Sequence, residues 1–379
     1  MTSSASWDIA VVGAGPAGSV MAAELAKNGA RVLIFDHSHP RAKPCSGFLK
    51  KEVFDNYPPA ARFDQRRPFV GPWSYTSPSG HTFTISDEQA ATHFELSARR
   101  DFDEYLIRTA VEQGANWIKE KVVGIRRKGT GWEIDTDRRA WAAGALVGAD
   151  GARSIVRKQL AGPIKKGDLV VGIGRTYEGI EQEELQIRFF KTGGVGFALP
   201  GYGFCQIAIA QRLNTARRLM QKMRDFCDSP AGGRDGPYTS WVALQPSPVS
   251  RDFFKIDCSG ESYCLIGDAA GHCDPLNGEG IPFAVHGALL AADAFLKGNL
   301  GGFDERWRDV YGSRLEQGAA KARRAPSPWI QDLTGWAFSR SPSLVDAVAG
   351  ALSEGRSAGA VIARAAGRLP KIITELIRG

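Results

Sequence analysis

The hydrophobic positions change their period several times along the chain. Ile9-Ala-Val-Val12 is a continuous apolar run, as in a strand buried on both faces, and Arg31-Val-Leu-Ile-Phe35 is a second one. Between them Ser19 to Asn28 has helical spacing and stops at Gly29, so residues 7–36 predict one βαβ unit. The short alternating runs Trp73-Ser-Tyr75 and His81-Thr-Phe83-Thr-Ile85 predict a β-hairpin outside that layer. Ser97 is placed to cap a helix from Arg99 to Glu112, ended by Gly114. Strands follow at 122–125, 132–134 and 145–148, with Gly129-Thr-Gly131 as the first turn. Alternating runs at 169–177, 185–190, 195–199, 204–210 and 241–245 predict an antiparallel sheet, crossed by a helix near 215–227. Its residues Phe189, Phe197, Phe204, Ile207 and Trp241 are expected to point inward, as core or as the wall of a cavity. A last strand, Tyr263 to Ile266, leads through a glycine-rich stretch into a helix from Ile281 to Leu296. The remainder reads as helical, with breaks at Pro326, Pro328, Pro342 and Pro370. The pattern is that of an α/β chain with a parallel sheet, an inserted antiparallel sheet and a helical C-terminus.

Composition narrows the class. With 379 residues, 44 Gly and 20 Pro, the chain is long enough for two domains and rich in turns. No apolar run approaches the roughly 20 residues of a membrane span, and residues 1–6 are too few and too polar for a signal peptide. The six cysteines (45, 205, 227, 258, 264, 273) form no C-x-x-C pair and no metal-ligand spacing, so reduced thiols in a cytoplasmic protein and no metal site are expected. The formal charge of +7 is uneven: residues 321–379 hold nine Lys/Arg against four acids. Such a tail is a solvated face, or a surface that attracts anionic membranes, nucleic acid or acidic substrates. No nucleic-acid motif accompanies it, and no nucleic-acid partner is expected.

The candidate chemistry lies at the strand ends. Gly13-Ala-Gly15-Pro16-Ala17-Gly18 follows the first strand and opens the first helix, and Asp36 ends the second strand. Glycines at this spacing allow a tight turn, close approach of a pyrophosphate and close helix–strand packing, while Asp36 is placed to accept hydrogen bonds from ribose hydroxyls. An acid at Asp36 argues against NADP in this turn. Arg153 and Arg157 follow the Asp150-Gly151 turn and are candidates for phosphates or for surface ion pairs. In 267–280 small residues at Gly267, Ala269, Ala270 and Gly271 admit a bulky ligand. There Asp268 offers a carboxylate, and Gly278-Glu-Gly280 turns free N–H groups toward the site.

Taken together, 13–18 with Asp36, 149–157 and 267–280 resemble the FAD-binding set of the para-hydroxybenzoate-hydroxylase-type flavoproteins. Within it, Gly-Asp-Ala-Ala-Gly-x-x-Asp-Pro-Leu-x-Gly-Glu-Gly-Ile at 267–281 and Lys43-Pro-Cys45-Ser46-Gly47 are similar to the geranylgeranyl reductase family. The resemblance implies a Rossmann-like FAD-binding domain from 1–66, 96–164 and 258–300, an antiparallel-sheet substrate domain from 67–95 and 165–257, and a helical region from 301–379. It implies a cofactor set of Gly13, Gly15, Pro16, Ala17, Gly18, Asp36, Lys43, Cys45, Ser46, Arg99, Val123, Asp150, Gly267, Asp268, Pro275, Gly278, Gly280 and Ile281. Asp36 is then expected at the adenosine ribose, Arg99 near the phosphates or ribityl chain, Asp268 at the ribityl-pyrophosphate region, and Pro275 with 277–280 facing the ring. Cys45 is the candidate catalytic proton donor, with Cys273 and His272 as weaker ones.

The expected reaction is reduction of a carbon–carbon double bond in a bulky apolar or aromatic substrate by reduced FAD, with NADH or NADPH as transient electron donor. The alternatives are a flavin-hydroperoxide monooxygenase, including one acting on a peptide side chain in cofactor maturation, and a flavin-dependent halogenase. At 195–201 the chain reads Val-Gly-Phe-Ala-Leu-Pro-Gly, where those reductases carry Tyr-x-Trp-x-Phe-Pro-Lys, so the substrate contact here differs. The partner is a small-molecule or peptide-borne substrate, and the location is cytoplasmic, with peripheral membrane contact through the basic tail as the other expectation.

Overall fold

The computed structural model describes residues 7–86, 94–229, 232–324, 327–353 and 365–378. Pro326, Glu354, Arg356 and Arg364 of the tail lie outside these residues.

The first strand, Trp7–Val12, lies between Val32–Phe35 and Ala140–Gly148, parallel to both. Asn116–Ile118 extends this parallel set at one side and Tyr263–Leu265 at the other. The residues following Val12, Phe35, Gly148 and Leu265 therefore emerge at one edge, where ligands of open α/β sheets bind. Backbone bonds knit that edge together: Gly13 N–H donates to Phe35 O (2.8 Å), Ala149 N–H to Val12 O (2.8 Å) and Ile266 N–H to Gly148 O (2.9 Å). One face carries the helices Pro16–Lys27, Arg99–Glu112 and Ile281–Leu296, which pack through small side chains such as Ala22, Ala26, Ala288 and Ala292. On the other face Ile125, Trp132 and Ile134, from the antiparallel hairpin Val122–Lys128/Gly131–Thr136, close a second core.

A seven-stranded sheet stands beside this layer. Its order is Thr239–Pro246, Leu169–Glu178, Phe204–Arg212, Val195–Pro200, Leu185–Phe189, Trp73–Thr76, Thr82–Ile85. The expected hairpin at 73–85 is present and joins this sheet. The join corrects the purely antiparallel expectation, because Trp73–Thr76 runs parallel to Leu185–Phe189. Two segments a hundred residues apart pair there, so no hairpin geometry imposes the antiparallel sense. The helix Leu219–Cys227 covers one face through Met223 and Phe226, against Ile173, Cys205, Ile207 and Ile209. A three-stranded sheet, Phe48–Lys50, Phe94–Ser97 and Arg66–Pro68, bridges the two layers. These strands and Asn116–Ile118 are too short to show a period and were not legible in the pattern.

Three local expectations shift. The first helix begins at Pro16 rather than Ser19, because Pro at the first helical position has no N–H to satisfy. Ser97 lies inside a strand, and Ala98 is the residue before the Arg99–Glu112 helix. Pro328 and Pro342 open the helices Pro328–Arg340 and Pro342–Ser353, and Pro370 lies in the first turn of Leu369–Arg378. These prolines start helices because the first turn needs no intrahelical donor.

Candidate functional site

The site is built from the sheet edge upward. Gly13 has φ +103°, and a Cβ there would lie 2.4 Å from Ala149 O. At Gly18 a Cβ would lie 1.9 Å from Gly13 O, so the helix start and the turn touch through backbone. Gly15 differs: nothing stands within 4 Å of its Cβ position, and it caps the Pro16–Lys27 helix without a side-chain acceptor. One glycine makes the turn, one packs the helix, and one leaves open space before a helix N-terminus. That is the cradle a pyrophosphate needs. Ala17 is buried beneath it, beside Gly267.

Asp36 sits at the edge of this cradle. Its carboxylate accepts from Ala14 N–H (3.2 Å), Ser38 N–H (2.9 Å), Ser38 Oγ (2.8 Å) and Arg41 Nη1 (3.1 Å), and meets His39 Nδ1 at 3.1 Å. Burial alone would raise its pKa. The His39 hydrogen bond, the Arg41 charge and the Ser38 N–H outweigh that and hold the carboxyl well below the usual carboxylate range.

A second charged group stands between the layers. Arg99 donates to Asp103 through Nε (3.0 Å) and Nη2 (2.8 Å), and Asp103 is fully buried. Burial opposes the Arg99 charge, but the Asp103 carboxylate outweighs it and holds the guanidinium protonated, with Cys45 Sγ within hydrogen-bonding reach. Cys45 is brought there by its turn. A Cβ at Gly47 would fall 1.8 Å from Ser97 O, and Ser97 N–H donates to Gly47 O at 3.0 Å, so the Lys43–Gly47 loop lies directly on the start of the Arg99 helix. Ser46 Oγ accepts from Phe48 N–H at 3.4 Å and shapes the same turn. Burial pushes the Lys43 ammonium down, and Arg99 adds to this. Asp268 faces the pair: burial raises its carboxyl, while Lys43 and Arg99 oppose the rise. His39 and Asp103 were missed by sequence reasoning. The visible signal for Asp103 was its i,i+4 spacing from Arg99. His39 left none.

The 267–281 stretch folds into two tight turns, with Gly267, Gly271 and Gly278 at φ +58°, +77° and +75°. A Cβ at Gly280 would stand 3.2 Å from Asp268 Oδ1, and Gly280 precedes Ile281 at the start of the Ile281–Leu296 helix. Asn277 Oδ1 accepts from Glu279 N–H at 3.0 Å, and Leu276 and Asn277 are exposed. Pro275 is buried, against the Gly318 backbone. Gln245 reaches in from the seven-stranded sheet and donates to Gly278 O and to Cys273 Sγ, the latter at 3.3 Å. Sequence reasoning did not find this contact, because Gln245 and Gly278 meet only through the assembled layers.

Other candidates are placed elsewhere. His272 is buried flat on Trp307, with ring centroids 3.5 Å apart, and burial with Arg157 and Arg308 keeps it neutral. Burial and the Asp268 charge push the Cys273 thiol up. Neither presents a ready proton to an open surface. Arg157 is buried rather than free for a phosphate or a surface ion pair: it donates to Ala269 O (3.1 Å) and Ala270 O (3.2 Å), holding the 267–270 turn from behind. Arg153 is exposed. Asp150 accepts from Ser154 Oγ and Ile155 N–H at the start of the Ile155–Leu160 helix, which Ser154 caps by accepting from Arg157 N–H. Val123 is half exposed at the start of its strand.

The face of the large sheet opposite the Leu219–Cys227 helix carries Gln245, and register puts Phe189, Phe197, Phe204 and Trp241 on it too. Ile207 is the exception, packed on the other face under Met223 and Phe226. One row runs Trp241, Gly174, Ala208, Phe197, Ile187, Tyr75, Phe83. Trp241 lies flat over Gly174, where a Cβ would meet its ring at 2.2 Å.

No helix among the described residues is long and apolar enough to cross a membrane. Comparison with known proteins agrees with this geometry. Residues 11–42 match the NAD(P)-binding Rossmann-like domain. The chain is 27% identical to the menaquinone reductase of Mycolicibacterium smegmatis over 382 residues, covering 89% of each. It is 25% identical to digeranylgeranylglycerophospholipid reductase 3 of Methanosphaera stadtmanae, covering 75% of this chain and 76% of that protein. Among solved structures, the geranylgeranyl bacteriochlorophyll reductase-like protein of Thermoplasma acidophilum superposes with a TM-score of 0.70 at 19% identity, over 98% of both chains. A glycine cradle at a helix N-terminus, a buried charge cluster and these relatives converge: the chain has a Rossmann-type nucleotide-binding fold and is similar to the geranylgeranyl and menaquinone reductases.

Proposed function

We propose that the protein reduces a carbon–carbon double bond in a substrate carrying a long polyprenyl chain. The observation that carries this reading is the apolar row from Trp241 to Phe83. It starts on the strand whose Gln245 binds Gly278, and crosses six strand-to-strand steps of about 4.8 Å, roughly 29 Å in all. Relatives named for geranylgeranyl and menaquinone substrates share that chain chemistry. The Trp241 ring fills the space over Gly174, and Ala208, Phe197 and Ile187 continue the apolar wall beside it. The Phe197 position also departs from the reductase wording of Tyr-x-Trp, which points to a tail contact of different shape.

The open cradle at Gly15, together with Asp36, Lys43, Arg99 and Asp268, fits FAD. Gly13, Gly15 and Gly18 would hold its pyrophosphate, Asp36 a ribose, and Asp268 with Arg99 the ribityl region. Bound there, FAD supplies the hydride chemistry. The residues of the chain orient the substrate, exclude water and hold a proton. Cys45 Sγ is the proton source, and Arg99, pinned by Asp103, stabilises the sulfur once the proton leaves. NADH or NADPH is the electron donor, and the protein works in the cytoplasm.

The test is anaerobic reduction of the holoprotein with NADH, NADPH or dithionite, then addition of geranylgeranyl diphosphate or menaquinone. Reoxidation without oxygen, with a product two hydrogens richer, is expected. A requirement for oxygen, with an oxygenated product, would overturn the reading in favour of a monooxygenase. Cys45→Ser is expected to keep the flavin spectrum and reduction by nicotinamide while slowing substrate reduction about a hundredfold. Unchanged turnover would remove Cys45 from the mechanism.

A further inference from the structure

We infer that the Pro328–Arg340 and Leu369–Arg378 helices together dock the protein on an anionic lipid bilayer. The inner side of the first is accounted for. Asp332 accepts from Ser77 Oγ (2.8 Å), Ser79 N–H (2.6 Å) and Ser79 Oγ (2.8 Å), Gly335 lies on Ser77 and His81, and Phe338 packs on Phe83 with centroids 4.9 Å apart. At about 100° per residue the side opposite 332, 335 and 338 is formed by Trp329, Ile330, Leu333 and Ala337. Trp329 and Leu333 are 66% and 55% exposed.

The last helix repeats this division. Ile372 is buried and Leu376 half-buried, while Glu375 accepts from Ser341 Oγ (2.5 Å) and Ser343 Oγ (2.8 Å) at the start of the Pro342–Ser353 helix. These contacts pack one part of its apolar side against the fold. That side nevertheless extends past the docked residues to Leu369, Ile373 and Ile377, the last 79% exposed. The two helices touch.

Charge selects the occupant. The three helices carry one acid each. Asp332 and Glu375 are turned onto Ser77, Ser79, Ser341 and Ser343, and Asp346 faces Arg368 at 3.5 Å. Of the cations, Arg340 stands over the Trp336 ring at 5.0 Å, Lys371 lies 4.0 Å from Glu375 Oε1 yet stays largely exposed, and Arg378 ends the last helix at an exposed position. Tryptophan and aliphatic side chains edged by Lys and Arg match the headgroup–acyl boundary of an anionic membrane, where apolar burial and charge attraction act together. A second protein copy would meet the same positive charge. Docking this way places the Phe83 edge of the apolar sheet row beside the bilayer, through Phe338.

The test is co-sedimentation of the FAD-loaded full chain with vesicles of phosphatidylcholine alone or mixed with phosphatidylglycerol. Binding to the anionic vesicles, weakened by salt, is expected. It should fall at least tenfold in Trp329→Gln/Leu333→Gln and in Ile373→Gln/Ile377→Gln, all at exposed positions, with melting temperature and flavin content unchanged. Lys371→Gln/Arg378→Gln should lower anionic binding and remove its salt dependence. Absence of binding by the native protein, equal binding to both vesicles, or equal binding by all variants overturns the proposal. So does a native dimer that these substitutions dissociate, which would make the surface a contact between copies. None of these readouts depends on turnover, so the reductase reading stands or falls separately.

Discussion

The nucleotide-binding layer and the seven-stranded sheet hold their ligand-facing surfaces by different means. In the first, backbone meets backbone: Gly13 against Ala149 and Gly18 against Gly13 leave no room for a methyl group. In the second, side chains from strands far apart in the chain line up by register, and even Gly174 is opposed by a movable ring, Trp241. Backbone contacts cannot yield without moving a strand, whereas a side-chain row is altered one residue at a time. The nucleotide-binding layer is therefore rigid in sequence, and the face of the sheet is open to change one side chain at a time.

Substitution breaks this contrast most severely at Gly18. Gly18→Ala puts a Cβ on the Gly13 carbonyl, and the purified protein is expected to retain no flavin absorbance, whereas Gly174→Ala retains it and alters only turnover. Flavin retained at full stoichiometry in Gly18→Ala would show that the turn is not held by backbone contact.

Next in size is Asp36→Ala, expected to weaken FAD by about 1–3 kcal/mol, roughly 5- to 150-fold in a titration of the apoprotein. The carboxyl is held below its ordinary value in the fold, so its stabilising effect is complete above the unfolded value of about 4 and fades as pH falls further. The melting-temperature gap between native protein and Asp36→Asn should be constant from about pH 5 to 8 and close below about pH 4. A gap that widens on acidification would contradict the charge network around Asp36.

On the sheet, Trp241→Ala should reduce kcat/KM for a polyprenyl substrate about tenfold, from lost apolar contact, with flavin content unchanged. Loss of flavin in this variant would mean that the two layers are not separable in the way described. The smallest effect is in thiol labelling. With iodoacetamide on the native protein, Cys45 and Cys227 should react while the buried Cys205, Cys258, Cys264 and Cys273 resist, as read by mass spectrometry. Rapid modification of Cys273 would show that its turn opens.

The pattern of residues alone was enough for the βαβ unit with its glycine turn, the Arg99–Glu112 helix and the five strands between 169 and 246. In each, local chemistry determines local shape: glycines where backbone touches backbone, alternation where one face is buried, small residues where a helix meets a turn. What the sequence could not hold was the pairing of distant segments. Cys45 meets Arg99 because the 48–50 and 94–97 strands pair. Arg157 turned from a phosphate candidate into a buried brace because its helix lies behind Ala269. Ile207 faces away from the aromatic row because register, set by strands up to a hundred residues off, assigns each alternate residue its side. Periodicity says that a strand has two faces. Only the assembled layers decide which face meets the ligand.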